Sequence, residues 1–302
     1  MKKSDRHWTS KNIPDQSGKT VIVTGANSGL GFETARVLAH KGANVIMACR
    51  NPEKAGKAAE KIRKENSTGK IIVMHLDLAD LNSVRSFSKE FDKRFDSLHL
   101  LINNAGIMMP PLGRTKQGFE LQLGVNHLGH FALTGLLTDI LLATPGSRIV
   151  TMSSMLHKRG KIHFQDLNWE KDYNRMKAYG QSKLANLLFT YELQRKLFAA
   201  KSDTIAVAAH PGLTATNLQQ YSPFFRFLNK YMAQNAEMGA LPILRVATDE
   251  KIQGGEYYGP AKRMEMVGYP EKMKSHKRSY NTYNAAKLWD VSEKLTGIKY
   301  PV

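Results

Sequence analysis

The chain is short of cysteine, of acidic residues and of long apolar runs, and each shortage narrows what it can be. One cysteine, Cys49, among 302 residues cannot close an internal disulfide. The fold must therefore rest on packing and hydrogen bonds, and a reducing setting, the cytoplasm, is expected. No apolar run approaches the roughly 18 residues that a membrane span needs. Residues 1–17 are polar with no apolar segment of the signal-peptide kind, and they read as an extended or frayed lead-in. The ten histidines are scattered. His127 and His130 stand three apart without a third ligand at a sensible spacing, so no metal centre is expected. Acids are outnumbered, 26 against 44 Lys and Arg, for a net charge of +18. Such a balance can serve nucleic acid, an anionic membrane or a phosphorylated ligand. Here the basic residues are spread along helix faces, as at Lys54, Lys57, Lys61 and Lys64, rather than gathered in a dense arm. That favours a solvated basic surface and argues against a specific nucleic-acid partner.

What is present is an alternation of apolar, β-branched runs with helical patterns. An apolar content of 42 % is that of an ordinary globular protein, and the length allows one large core, so a single domain over 1–302 is expected. Thr20–Thr24 reads as a buried strand. It runs into Gly25-Ala26-Asn27-Ser28-Gly29-Leu30-Gly31 and then a helix to His40. Strand, glycine-rich turn and helix in that order present free helix N–H groups to a phosphate. A second strand, Asn44–Cys49, ends at Arg50. Where a dinucleotide fold uses an acid for a ribose 2′-hydroxyl, an arginine suits a 2′-phosphate, so Arg50 predicts NADP rather than NAD. Cys49 reads as a small strand-end residue. Asn51-Pro52-Glu53 caps a second helix. A third strand, 70–76, ends at Asp77-Leu78, and a helix follows over 82–95. A fourth strand, 98–102, ends at Asn103-Asn104-Ala105-Gly106. A long helix is expected over 119–142, with Asn126 in its apolar interior. Either that amide is a satisfied core group or it orders something in a cleft. Strands over 147–154 and 204–210 follow, the latter running into Pro211-Gly212-Leu213-Thr214-Ala215-Thr216, and a last strand is expected at 255–258. The fold class implied is α/β, a doubly wound parallel sheet (Rossmann fold) of about seven strands with helices on both faces. Its ligand edge is the carboxyl ends of the strands.

One stretch carries chemistry rather than architecture. From Ala178 onward the pattern is helical, with Leu184, Leu187, Leu188 and Phe189 apolar. Tyr179 and Lys183, four apart, share a helix face. A phenol beside an ammonium is a proton-transfer device, because the cation stabilises the phenolate. Tyr173 and Lys177 repeat the spacing six residues earlier, and spacing alone does not choose between the pairs.

Taken together these motifs resemble the short-chain dehydrogenase/reductase family, from about Gly18 to Pro260. The resemblance rests on Thr24-Gly25-x-x-x-Gly29-x-Gly31, Asp77, Asn103-Asn104-Ala105-Gly106, Asn126, Ser153-Ser154, Tyr179-x-x-x-Lys183 and Pro211-Gly212-x-x-x-Thr216, in that order. Met47-Ala48-Cys49-Arg50, the Val125–Phe131 stretch and the long insertion between Ser154 and Tyr179 are similar to the retinol dehydrogenase-like branch. Members of that branch usually carry an N-terminal membrane anchor, and a soluble relative without one is the expectation here. The resemblance implies that Tyr179 is the general acid/base and that Lys183 lowers its pKa and binds the nicotinamide ribose. It implies that Ser154 hydrogen-bonds the substrate oxygen and that Asn126 holds a water of the proton relay. Tyr173 lacks the Ser-Lys-Leu-Ala-Asn continuation and falls away. A dinucleotide, NADP(H), would be held by Gly25, Asn27, Ser28, Gly29, Leu30, Gly31, Arg50, Asp77, Leu78, Asn103, Ala105, Gly106, Tyr179, Lys183, Pro211, Gly212, Thr214 and Thr216. The implied activity is hydride transfer between that cofactor and a lipophilic alcohol, aldehyde or ketone. A lid over residues 213–249, crowded with aromatics such as Tyr221 and Phe224, would supply the greasy wall. Residues 261–302 would be a C-terminal extension. Family members are often dimers or tetramers, so a homo-oligomer is compatible with the resemblance. The competing reading is a cofactor-bound scaffold or redox sensor without catalysis. A complete Asn126, Ser154, Tyr179 and Lys183 set weighs against it.

Overall fold

The computed structural model describes residues 7–65, 67–214 and 233–302. An eight-stranded sheet organises them, in the order β3-β2-β1-β4-β5-β6-β7-β8. The strands are β1 (Thr20–Thr24), β2 (Asn44–Cys49), β3 (Ile71–His75), β4 (Leu100–Asn103), β5 (Arg148–Met152), β6 (Ile205–Ala209), β7 (Tyr257–Lys262) and β8 (Val267–Met273). The first seven run parallel and β8 returns antiparallel to β7. Chain order reverses between β1 and β4, which opens a crevice at their carboxyl ends.

β1 is buried at every position, and its alternation feeds two cores. Val21 and Val23 face a layer containing Ala35 and Leu38 of α1 (Gly29–His40) and Ala59 and Ile62 of α2 (Pro52–Lys64). Ile22 faces the other layer, with Phe87 and Phe91 of α3 (Leu81–Asp92) and with Phe131, Leu188 and Trp289. Successive side chains leave a strand on opposite faces, so a strand covered on both sides must be apolar throughout. The sheet is thus doubly wound, as the sequence implied. Asn51 accepts from the Lys54 amide at 2.8 Å and Pro52 opens α2, the cap expected from Asn51-Pro52-Glu53.

Three details differ from expectation. The sheet has eight strands rather than about seven. β8 carries Gly268, Pro270, Glu271 and Lys272 in seven residues, a composition that hides a strand but suits the edge of a sheet, where proline is tolerated and lysine deters further pairing. The expected long helix over 119–142 is broken into a turn at Leu121–Leu123, a π-helical turn at Gly124–Leu128, and helices at Gly129–Leu136 and Thr138–Ala143. The C-terminal stretch is built into the core: Trp289 of the Thr282–Thr296 helix and Tyr300 pack on Phe131, and the Tyr300 hydroxyl donates to the Phe131 carbonyl at 2.6 Å.

Candidate active site

The loops that leave β1, β4, β5 and β6 at their carboxyl ends line one crevice. After β1 the backbone turns through Gly25 and Gly29, at φ +67° and +56°, conformations that favour glycine. Ser28 caps α1 without a side-chain bond to the first-turn amides. A Cβ on Gly31 would lie 2.4 Å from the Gly25 carbonyl oxygen and 2.6 Å from Asn104 Nδ2, so only glycine lets this turn close. Thr24 ties the turn to the loop after β4: its hydroxyl accepts from the amides of Asn104 and Ala105, both at 2.9 Å, and its carbonyl accepts from Asn104 Nδ2 at 2.8 Å.

The Arg175–Ala199 helix places the reactive pair. Asn174 accepts from the amides of Met176 and Lys177 and starts the helix. Tyr173 therefore lies outside the helix, and Lys177 is exposed. That is why the two Tyr-x-x-x-Lys pairs are not equivalent. Tyr179 is 3 % exposed and Lys183 4 %, and the ammonium lies 5.7 Å from the centroid of the phenol ring. Lys183 Nζ donates to the Met152 carbonyl at 3.3 Å. Burial pushes the lysine down to about 8 and the phenol up to about 12, the Ser154 hydroxyl opposing the latter. Desolvation of the phenolate thus keeps the proton on the phenol at neutral pH. A lysine-lowered phenol was expected, and this structure does not have one. Ser153 donates to the Lys183 carbonyl at 3.0 Å, which leaves Ser154 as the serine turned to Tyr179.

A cavity of about 140 Å3 runs along this edge. It is lined by Leu30, Gly106, Ser154, Tyr179, Lys183, Pro211, Gly212 and Thr214 among the residues anticipated. Asn126 stands behind it. Its side chain accepts from the Ile107 amide at 2.8 Å and donates to the Ile107 carbonyl and to Ser182 Oγ, so it is a satisfied amide that clamps the Gly106–Ile107 loop. Gly25, Asn27, Ser28, Gly29 and Gly31 lie in the turn after β1, and Ala105 lies in the loop after β4, its amide donating to Thr24. Arg50 is exposed beyond β2, and Asp77 and Leu78 follow β3, Asp77 accepting from the Ala79 amide. Asn103 is not turned to the cavity: it is fully buried and donates to Thr134 at 3.0 Å, while Asn104 lines the cavity instead. Thr216 and the aromatic residues of the expected lid lie outside the described residues.

A profile of the short chain dehydrogenase family matches residues 19–223. The chain belongs to that family. Short-chain dehydrogenases are oxidoreductases that bind a nicotinamide cofactor and act on small molecules. The chain is also 40 % identical to retinol dehydrogenase 12 of Mus musculus, over 97 % of this chain and 90 % of that one. It is 42 % identical to retinol dehydrogenase 14 of Homo sapiens, over 93 % and 87 %. The crystal structure of an uncharacterised protein from Mycobacterium paratuberculosis superposes with a TM-score of 0.84 at 43 % identity, covering 98 % of this chain and all of the other. No helix among the described residues is long and apolar enough to cross a membrane.

This short-chain dehydrogenase has one supporting residue that the sequence concealed. His130 is 2 % exposed, with Nδ1 3.1 Å from the Asn126 carbonyl and Nε2 2.9 Å from the Thr24 hydroxyl. The carbonyl can only accept, so Nδ1 carries the hydrogen and Nε2 takes the threonine proton. One ring therefore couples the glycine turn to the π turn that carries Asn126. In the sequence it is only a histidine four residues after Asn126, with no local pattern that marks Thr24 as its partner.

Proposed function

We propose that this protein is an NADP(H)-dependent oxidoreductase that moves a hydride between the nicotinamide and a lipophilic alcohol, aldehyde or ketone, with Tyr179 as general acid/base. The single observation carrying this reading is the convergence of Tyr179, Ser154 and Lys183 on one cavity whose remaining walls are largely apolar. The residues present fit a dinucleotide. The turn is closed at Gly25 and Gly31 by contacts that a Cβ would crowd, and the amides that open α1 have no side-chain cap, which suits a diphosphate. Arg50, exposed past β2, would meet a 2′-phosphate. Lys183 and the backbone from Pro211 to Thr214 would border the nicotinamide end. The bound cofactor supplies the hydride.

The chain's own residues supply the proton and the orientation. Ser154 donates to the substrate oxygen and holds it beside the Tyr179 hydroxyl. In carbonyl reduction the phenol, protonated at neutral pH, gives its proton to the oxygen as charge develops there. The Lys183 ammonium, charged below about pH 8, stabilises the phenolate that remains. Carbonyl reduction is thus the direction favoured near neutrality, and alcohol oxidation gains as pH rises.

Cofactor oxidation with a panel of aliphatic and aromatic aldehydes and ketones tests the reading. Tyr179→Phe lowers turnover by at least about a hundredfold while NADPH binding persists. A Tyr179→Phe protein that still turns over at the native rate refutes it.

A further inference from the structure

The tyrosine that falls outside the reactive helix has its own set of partners. Tyr173 Oη, from the long stretch between Ser154 and Tyr179, donates to the Pro110 carbonyl at 3.1 Å and accepts from Gln122 Nε2 at 3.0 Å. Glu120 Oε1 lies farther off, at 3.5 Å. Gln122 is fully buried. Its Nε2 also donates to the Arg175 carbonyl at 3.1 Å, and its Oε1 accepts from the Met109 amide at 2.8 Å. Both amide hydrogens and the oxygen are committed, so a flipped amide would set donor against donor and the orientation is fixed. Met109 has φ +53°, a left-handed conformation that a residue with a side chain keeps only when its surroundings hold it. Met108 and Met109 pack with Leu156 against the Tyr179 ring, and Met108 and Leu156 line the cavity. Neither Tyr173 nor Gln122 lines it.

We propose that the Tyr173–Gln122 relay is a specificity device. It fixes the strained backbone at Met109 and so places the methionine wall, selecting substrates with an extended apolar chain over short ones. This rests on the reading of Tyr179 as the proton donor. The polar end of the cavity, Ser154, Tyr179 and Lys183, engages any carbonyl of either length. The apolar end rewards only a chain long enough to cover it, in proportion to the area buried. Methionine is unbranched and flexible, so the wall is only as well placed as the backbone that carries it. Tyr173 and Gln122 are positioning residues, joined to the wall through Pro110 and Met109.

The test uses the full-length protein with NADPH and two straight-chain aldehydes, propanal and decanal. Tyr173→Phe removes one hydroxyl from a half-buried ring. It should raise KM for decanal by about fivefold, the scale of one net hydrogen bond, with kcat within about twofold and KM for propanal shifted by less than about twofold. Gln122→Met, similar in volume, removes both arms and should flatten the preference further. Tyr179→Phe is run beside them. If Tyr179→Phe is inactive and Tyr173→Phe keeps the native length preference, the specificity device is refuted and the catalytic reading stands. If Tyr173→Phe lowers kcat/KM equally for both aldehydes, or acts only through a lower unfolding temperature, the device is also refuted. If Tyr179→Phe stays active, the catalytic reading fails and the device fails with it.

Discussion

Acid should dismantle this protein earlier than its carboxylates require, because three of its buried rings are neutral histidines. Burial pushes His127 down to about 3, and His130 and His157 down to about 4. Each ring is engaged in its neutral form. His127 Nε2 meets Ser292 at 2.9 Å, His130 joins Thr24 to Asn126, and His157 Nδ1 meets the Ser154 carbonyl at 2.6 Å while its Nε2 accepts from the His276 amide. In the unfolded chain these rings protonate near pH 6.5. Between pH 6.5 and 4 the unfolded state takes up protons that the native state refuses, so stability falls as pH falls through that window. At pH 5 the difference is about 2 kcal/mol per ring, and it hardly depends on the folded value as long as that is 4 or lower. Three rings give about 6 kcal/mol, against a usual total of roughly 5–15 kcal/mol. His210 is also held down by burial, but the Glu265 carboxylate lies 3.8 Å from its Nε2 and favours a proton there, so it stays outside the sum. Urea unfolding at pH 7.5, 6.0 and 5.0 measures the effect. His157→Asn keeps a donor beside the Ser154 carbonyl but cannot titrate, and should recover about 2 kcal/mol of the loss at pH 5. A native protein that loses less than about 4 kcal/mol between pH 7.5 and 5.0 refutes the reasoning, since at least one ring would have to be counted out.

The same site and its glycine turn set three further outcomes. NADPH should bind more tightly than NADH, and Arg50→Asp should weaken NADPH by about tenfold or more, the scale of one charge-assisted bond, with little change for NADH; equal affinities in fluorescence titration overturn the NADP assignment. The kcat/KM for carbonyl reduction should be level below about pH 8 and fall above it as Lys183 loses its proton; a profile level to pH 10 removes the ammonium from the mechanism. Gly31→Ala should abolish measurable cofactor binding, because its methyl would sit 2.4 Å from the Gly25 carbonyl oxygen; calorimetry showing native affinity would mean that the turn can open.

Most of the site was legible because it is local. The glycine turn, Arg50, the Asn103–Gly106 loop, Ser154 and Tyr179 each follow a strand or open a helix, and strand alternation places all such ends on one edge. The expectation for Asn103 shows the limit: sequence marks a pair of asparagines but not which one faces the cavity, and the fold buries Asn103 while half-buried Asn104 lines the cavity. β8 was missed because an edge strand needs no apolar alternation, and nothing in the apolar pattern of 119–142 marks the π-helical turn at Gly124–Leu128.

The order of strands and helices and the glycine turn were determined by the chain itself, since periodicity and capping act within a few residues. Whether the phenol holds its proton, which histidine joins the turn to Asn126, and what Tyr173 does instead were decided only in three dimensions. Desolvation and hydrogen-bond partnership depend on groups 50 to 110 positions apart, as with Thr24 and His130 or Gln122 and Tyr173, and no local pattern encodes them.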